Sequence, residues 1–209
     1  MKRMLVVSST LLLLLVVCAY GGDKKKQGQS YQLKPDQTAD IPLNKLSTAK
    51  QECENWAVAA GLETMLAKQG IQLDQSYWIM RLNAGELCVP EMPSVEALTK
   101  LVNREVVLAD GRRATLELQY TAGAPTNIDG LIYGLQTQNI SLLVFRGHTY
   151  YLAGATYDEY IGLDGGRMLQ VKELRLANTF AGKPGVTFQR GRDNLDDIQG
   201  TLTVNVIFP

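Results

Sequence analysis

The sequence holds few of the residues that build metal or nucleic-acid sites. His148 is the single histidine among 209 residues, which excludes a zinc centre assembled from several imidazoles. The 21 basic and 21 acidic side chains cancel, so there is no basic stripe for a phosphate backbone, and no nucleic-acid partner is expected. Lys24-Lys25-Lys26 is the only positive run; it sits in a polar stretch and reads as solvated linker. No glycine-rich phosphate loop, dinucleotide fingerprint or metal-ligand spacing is present, so neither a cofactor nor a metal is expected. There is no internal repeat. What remains is an ordinary globular composition, 45% hydrophobic and 20% charged, enough for one domain with a real core.

The one long apolar run is too short for a comfortable membrane span. Lys2 and Arg3 precede an apolar segment over 4–18, and Ala19-Tyr20-Gly21 places small residues two apart. This reads as a secretory signal over 1–22, cleaved near Gly21 or Gly22, with the protein secreted or periplasmic. The competing reading is a lipoprotein anchored through Cys18, for which Val17 is a poor preceding residue. Membrane contact is expected only through these features. Of three cysteines, Cys53 and Cys88 remain after signal removal, and two cysteines in an oxidising compartment commonly pair.

Residues 23–38 read as a polar linker and 39–209 as one domain, with an edge segment at 39–43. A helix is expected over 55–69, closed by Gly70, and a second over 75–82. Ser94 caps a third, to about 103, with Glu96 early and Lys100 late as the helix dipole prefers. Then the period changes. Short strands at 105–108 and 113–120 flank an Asp110-Gly111 turn. Asn127 caps a helix over 128–138. Strands follow at 140–146, 148–157, 169–176 and 201–208. Helices first and mainly antiparallel strands later make an α+β order.

The segment Gln51-Glu52-Cys53-Glu54-Asn55-Trp56-Ala57-Val58-Ala59-Ala60 resembles the nucleophile region of papain-like cysteine peptidases. It is most similar to bacterial secreted and bacteriocin-processing members. The resemblance implies a papain-like fold, with a long helix carrying the nucleophile position at its start and packed on a C-terminal antiparallel sheet. It also implies a glutamine, six residues before the catalytic cysteine, that supplies an oxyanion donor. Six residues after Gln51 stands Ala57, which has no thiol. Two registers remain open. In one, Cys53 is the nucleophile and Gln51 lies too close for its usual role. In the other, favoured because it keeps the family's distance to the glycine ending the helix, Ala57 occupies the nucleophile place. Cys53 is then an upstream disulfide cysteine with Cys88 as its partner.

Gly147-His148-Thr149-Tyr150-Tyr151-Leu152-Ala153-Gly154 is similar to the family's strand carrying the catalytic histidine, the general base. Such a base needs an orienting Asn or Asp. If 148–157 and 169–176 form a hairpin about Leu163-Asp164-Gly165-Gly166, His148 faces a residue near 178–181. That favours Asn178 as orienter and leaves Asp164 to turn chemistry. The cluster Arg190-Gly191-Arg192-Asp193-Asn194 with Asp196-Asp197 matches no motif, and its spacing suits calcium poorly.

Three functions are consistent with these residues. The chain is a papain-like cysteine-peptidase homologue with Gln51, His148 and Asn178 retained and Ala57 in the nucleophile place; or an active thiol peptidase using Cys53; or a secreted binding domain without catalysis. A peptide or protein is the expected substrate or ligand.

Overall fold

The computed structural model describes residues 31–46, 56–82, 94–108, 110–180 and 182–209. The expected signal segment, Gln51, Cys53 and Cys88 lie outside the described residues. The chain enters through strand β1 (Tyr31–Asp40) and one helical turn, α1 (Leu43–Leu46). Helices α2 (Ala57–Lys68), α3 (Gln75–Leu82) and α4 (Val95–Val102) come next. They are followed by β2 (Arg104–Val107), β3 (Arg113–Ala122), helix α5 (Ile128–Gln136), β4 (Leu142–Phe145) and β5 (His148–Gly162). Strands β6 (Arg167–Asn178), β7 (Val186–Gln189) and β8 (Ile198–Ile207) complete the chain. The fold is α+β: one eight-stranded sheet in the order β2-β3-β8-β4-β5-β6-β7, with β1 on the far half of β5. Every strand pairing is antiparallel.

The expected helix signals hold in detail. Gly70 takes φ +82° just past α2, where a left-handed residue ends a helix. Ser94 Oγ accepts from the Ala97 N–H at 3.1 Å, and Asn127 Oδ1 from Gly130 at 2.9 Å. Each satisfies one of the donors a helix start leaves unpaired.

Residues 31–38, read from the sequence as linker, form most of β1 instead. Two features hide it. Its side chains are exposed on both faces until Ala39, so no period-two alternation shows. Pro35 and Asp36, the latter at φ 53°, also break the register between Lys34 and Gln37, as proline does on an edge strand. Charges hold the edge: Lys172 reaches both Asp36 and Asp158, and Glu159 takes Lys34 and Arg167. Strand β7 was also missed, being only four residues long.

Helix α2 seats on β4, β5 and β8. Gly61 brings the helix so close that a Cβ there would lie 2.3 Å from Leu142 Cδ1, and Leu142 is fully buried. At the other end of α2, the Gln69 amide acts as a surrogate strand. Its Nε2 donates to Val204 O at 2.8 Å and its Oε1 accepts from Val206 N at 3.1 Å. Beyond the end of β4, these β8 groups would otherwise lack a partner on that side. Helix α5 packs on the opposite face, where Gln136 Nε2 donates to the Tyr157 hydroxyl at 3.4 Å.

Gly61→Ala is therefore expected to destabilise the protein by about 1–3 kcal/mol through overpacking against Leu142, although alanine is the better helix former by up to about 1 kcal/mol. A shift of the denaturant midpoint at unchanged m-value measures it; an unchanged or raised midpoint would show that the seat is loose.

Candidate functional site

The resemblance centres on the start of α2. Trp56 precedes the helix with no side-chain cap on the first turn, and its ring is buried with Nε1 unpaired among the described residues. Ala57 is the first helical residue and half-buried. Exposed N–H groups and the helix dipole favour a thiolate at such a place, but a methyl group occupies it.

One hydroxyl joins α2 to β5. Tyr151 Oη lies 2.8 Å from Thr64 Oγ1 and donates to Ala60 O at 3.3 Å. This sets the orientation of β5. Successive side chains of a strand point to opposite faces, so with Tyr151 toward α2, Tyr150 and His148 point away from it. The neighbours agree. His148 pairs with Phe145, whose ring meets Phe188 edge-on at 6.2 Å, and Phe188 pairs with Leu174. Leu174 and Phe188 face Ile128 and Leu131 of α5.

His148 is exposed, and its nearest ring is Tyr150 at 6.5 Å. Its imidazole makes no hydrogen bond among the described residues. It follows a two-residue turn with positive φ at both Arg146 (51°) and Gly147 (77°), the geometry of a tight hairpin. Arginine is an unusual residue there, and ion pairs hold it. Its Nε and Nη2 reach Asp197 Oδ2 at 3.0 and 2.8 Å, and Nη2 reaches Asp193 at 3.2 Å. The acidic cluster that matched no motif is thus the anchor of the turn carrying His148.

The hairpin register expected from the Asp-Gly turn is the one observed. Tyr150 pairs with Asn178, and continuing the ladder sets His148 opposite position 180. Asn178 is occupied elsewhere: Oδ1 accepts from Phe180 N at 2.9 Å and Nδ2 donates to Pro184 O at 3.4 Å. It shapes the turn after β6. Asp164 serves its own turn, accepting from Gly166 N at 2.8 Å. His148 and Asn178 therefore share the sheet face away from α2 without a hydrogen bond between them among the described residues, and Ala57 lies on the other side, at the start of α2.

A cleft of about 630 Å³ lies on the α2 face, between α1 and the β6–β7 connection. Tyr151 and Ala153 floor it, and Ile41, Leu46, Phe180 and Val186 wall it. Leu43 stands at its rim, 66% exposed. Arg175 borders the cleft with its donors fully taken. Nε and Nη2 bond Asp40 Oδ1, Nη2 also bonds Ala155 O, and Nη1 bonds Thr156 and Glu173. Gly154 makes room for the pair, since a Cβ there would meet Asp40 Oδ1 at 2.0 Å. Sequence reasoning missed this cleft because one wall runs from the edge segment expected at 39–43 into the unexpected turn α1, and the other comes from the β6–β7 connection.

Burial pushes the Tyr151 phenol up to about 12 from 10.0, against the opposing effect of its Thr64 bond. The folded chain thus keeps a proton that the unfolded chain releases near pH 10.0. The stability held this way is whole below pH 10.0 and is lost as pH rises toward about 12. Tyr151→Phe is expected to cost about 1 kcal/mol at neutral pH through the lost hydrogen bonds. The gap between wild type and variant should then narrow above pH 10.0, as read from denaturant midpoints against pH; a gap constant through that window would refute the burial argument.

No family model, curated protein or solved structure matches the chain.

Proposed function

We propose that the chain is an exported homologue of papain-like cysteine peptidases that has lost hydrolysis and keeps the cleft beside α2 as a peptide-binding surface. The observation that carries this reading is the start of α2: Ala57 stands in the first helical position, and His148 leaves β5 on the face α2 does not cover. A thiol enzyme needs nucleophile and base within hydrogen-bond reach. Among the described residues, neither half of that pair stands at the α2 start. Further support comes from the order of the chain, a long helix with an uncapped start laid on an antiparallel sheet, and from the Gln51–Ala60 block. The cleft itself is apolar with a few polar groups at its edge, the usual character of a ligand site. The signal-like segment supports export.

The mature protein is expected to bind fluorescently labelled, unfolded casein saturably, by anisotropy, without cleaving it. Leu43→Glu, at an exposed rim position, should weaken that binding by about tenfold and leave the thermal midpoint in place. Cleavage of the casein through a rapidly alkylated Cys53 would overturn the reading in favour of an active peptidase, whereas a Cys53–Cys88 bond in the intact mass without reductant supports it.

A second measurement addresses the α2 start directly. Ala57→Cys should gain a thiol whose iodoacetamide rate responds to the helix dipole but changes by less than about twofold when His148→Ala is added. A strong dependence on His148 would mean that the two positions do share a pocket.

A further inference from the structure

The geometry points to a binding site for a short neutral carbohydrate in the groove between α5 and the open face of β3 and β8, on the side of the sheet away from α2. This groove measures about 290 Å³, at the low end for small-molecule sites. It is independent of the cleft described above.

Its lining suits such a ligand. A fifth of the chain is charged, yet among the described residues no charged side chain borders the groove. Gln119, Thr121, Asn139, Ser141 and Thr203 do, and none spends its side chain on a hydrogen bond among the described residues. Amides and hydroxyls both donate and accept, as sugar hydroxyls do, whereas an ionic ligand would meet no countercharge here. Thr201 adds a specific sign. Its Oγ1 is buried and unpaired among the described residues, a condition native structures rarely leave unanswered. Thr201 is itself one of the residues lining the groove.

The wall is kept bare. Helix α5 presents Gly130 and Gly134 to the groove, although interior glycines weaken a helix. Gly134 is not needed for packing, since a Cβ there would meet only Asn139 O, at 4.0 Å. Its lack of a side chain keeps the groove open. Leu131 and Pro125 supply apolar surface suited to the C–H face of a sugar ring. A peptide fits less well. The groove opens on the face of the sheet over the β3–β8 and β8–β4 pairings, where a ligand meets side chains and not a strand edge, so extended-chain addition does not apply there.

The test uses the mature protein titrated with maltose, cellobiose and N,N′-diacetylchitobiose, followed by calorimetry, with gluconate and glucosamine as charged controls. At least one neutral disaccharide should bind saturably at millimolar concentration or below, and the controls should not. Gly134→Leu should abolish binding by about tenfold or more while raising the thermal midpoint, because leucine is the better helix former. Thr201→Val should weaken binding by about fivefold with the midpoint unchanged or higher. Because both variants keep or gain stability, lost binding cannot be mistaken for unfolding. Absence of binding by all three sugars, preference for a charged control, or binding that both variants leave intact would each overturn the proposal.

Discussion

Helix α2 lies against the sheet with only Gly61 over the fully buried Leu142, and the Tyr151 hydroxyl closes the same contact through Thr64 and Ala60. That seat determines which way β4 and β5 face. Leu142 pairs with Tyr151, so both turn toward α2, and the next pair, Leu143 with Tyr150, turns away. Three residues upstream of Tyr151, His148 inherits the far face by strand alternation alone. Moving His148 under α2 would require a one-residue slip of β5, which would carry Tyr151 off Thr64 and place a phenol among the α5 contacts. Core packing and a papain-style dyad thus compete for the same strand, and the packing prevails.

The hairpin register was legible in the sequence because Asp-Gly chemistry at Leu163–Gly166 fixes where the turn sits, and the ladder then follows by counting. The faces were not legible. From Thr149 to Ala155 nearly every residue of β5 is buried, since helices cover both sides of the strand at its centre. A strand buried on both faces shows no alternation to read, so nothing in Gly147-His148-Thr149-Tyr150-Tyr151 says which side the imidazole takes. The helix starts were legible for the opposite reason: Ser94 and Asn127 cap by local hydrogen bonds that need no tertiary partner.

Strand β1 shows a third situation. Its own sequence specifies almost nothing, being polar and exposed with proline in the middle, and its place is set by partners far along the chain. Arg175 does most of this by joining Asp40 to Thr156, Glu173 and the Ala155 carbonyl. Exposed ion pairs are individually weak, but a guanidinium with every donor used has one geometry, so the gain is in position more than in energy. The glycine at 154 is what lets Asp40 and Arg175 meet across the strand. The chain leaving that clamp runs on through Ile41 and Leu46, which line the apolar cleft with Tyr151.

Glycine separates packing from recognition in this molecule. Gly61 sits in the second turn of α2 and Gly134 in the last turn of α5, and each weakens its own helix. The space that Gly61 leaves is filled by Leu142, and the helix recovers the loss through burial. The space that Gly134 leaves is open and is ringed by amides and hydroxyls that, Asn127 apart, bond nothing among the described residues. No packing term offsets that second loss. A helix weakened without internal compensation is what a surface kept clear for a ligand looks like, since sites held for function are where sequences depart from the choice that stability alone would make. On that ground the α5 face, and not only the cleft beside α2, is where recognition by this chain should be sought.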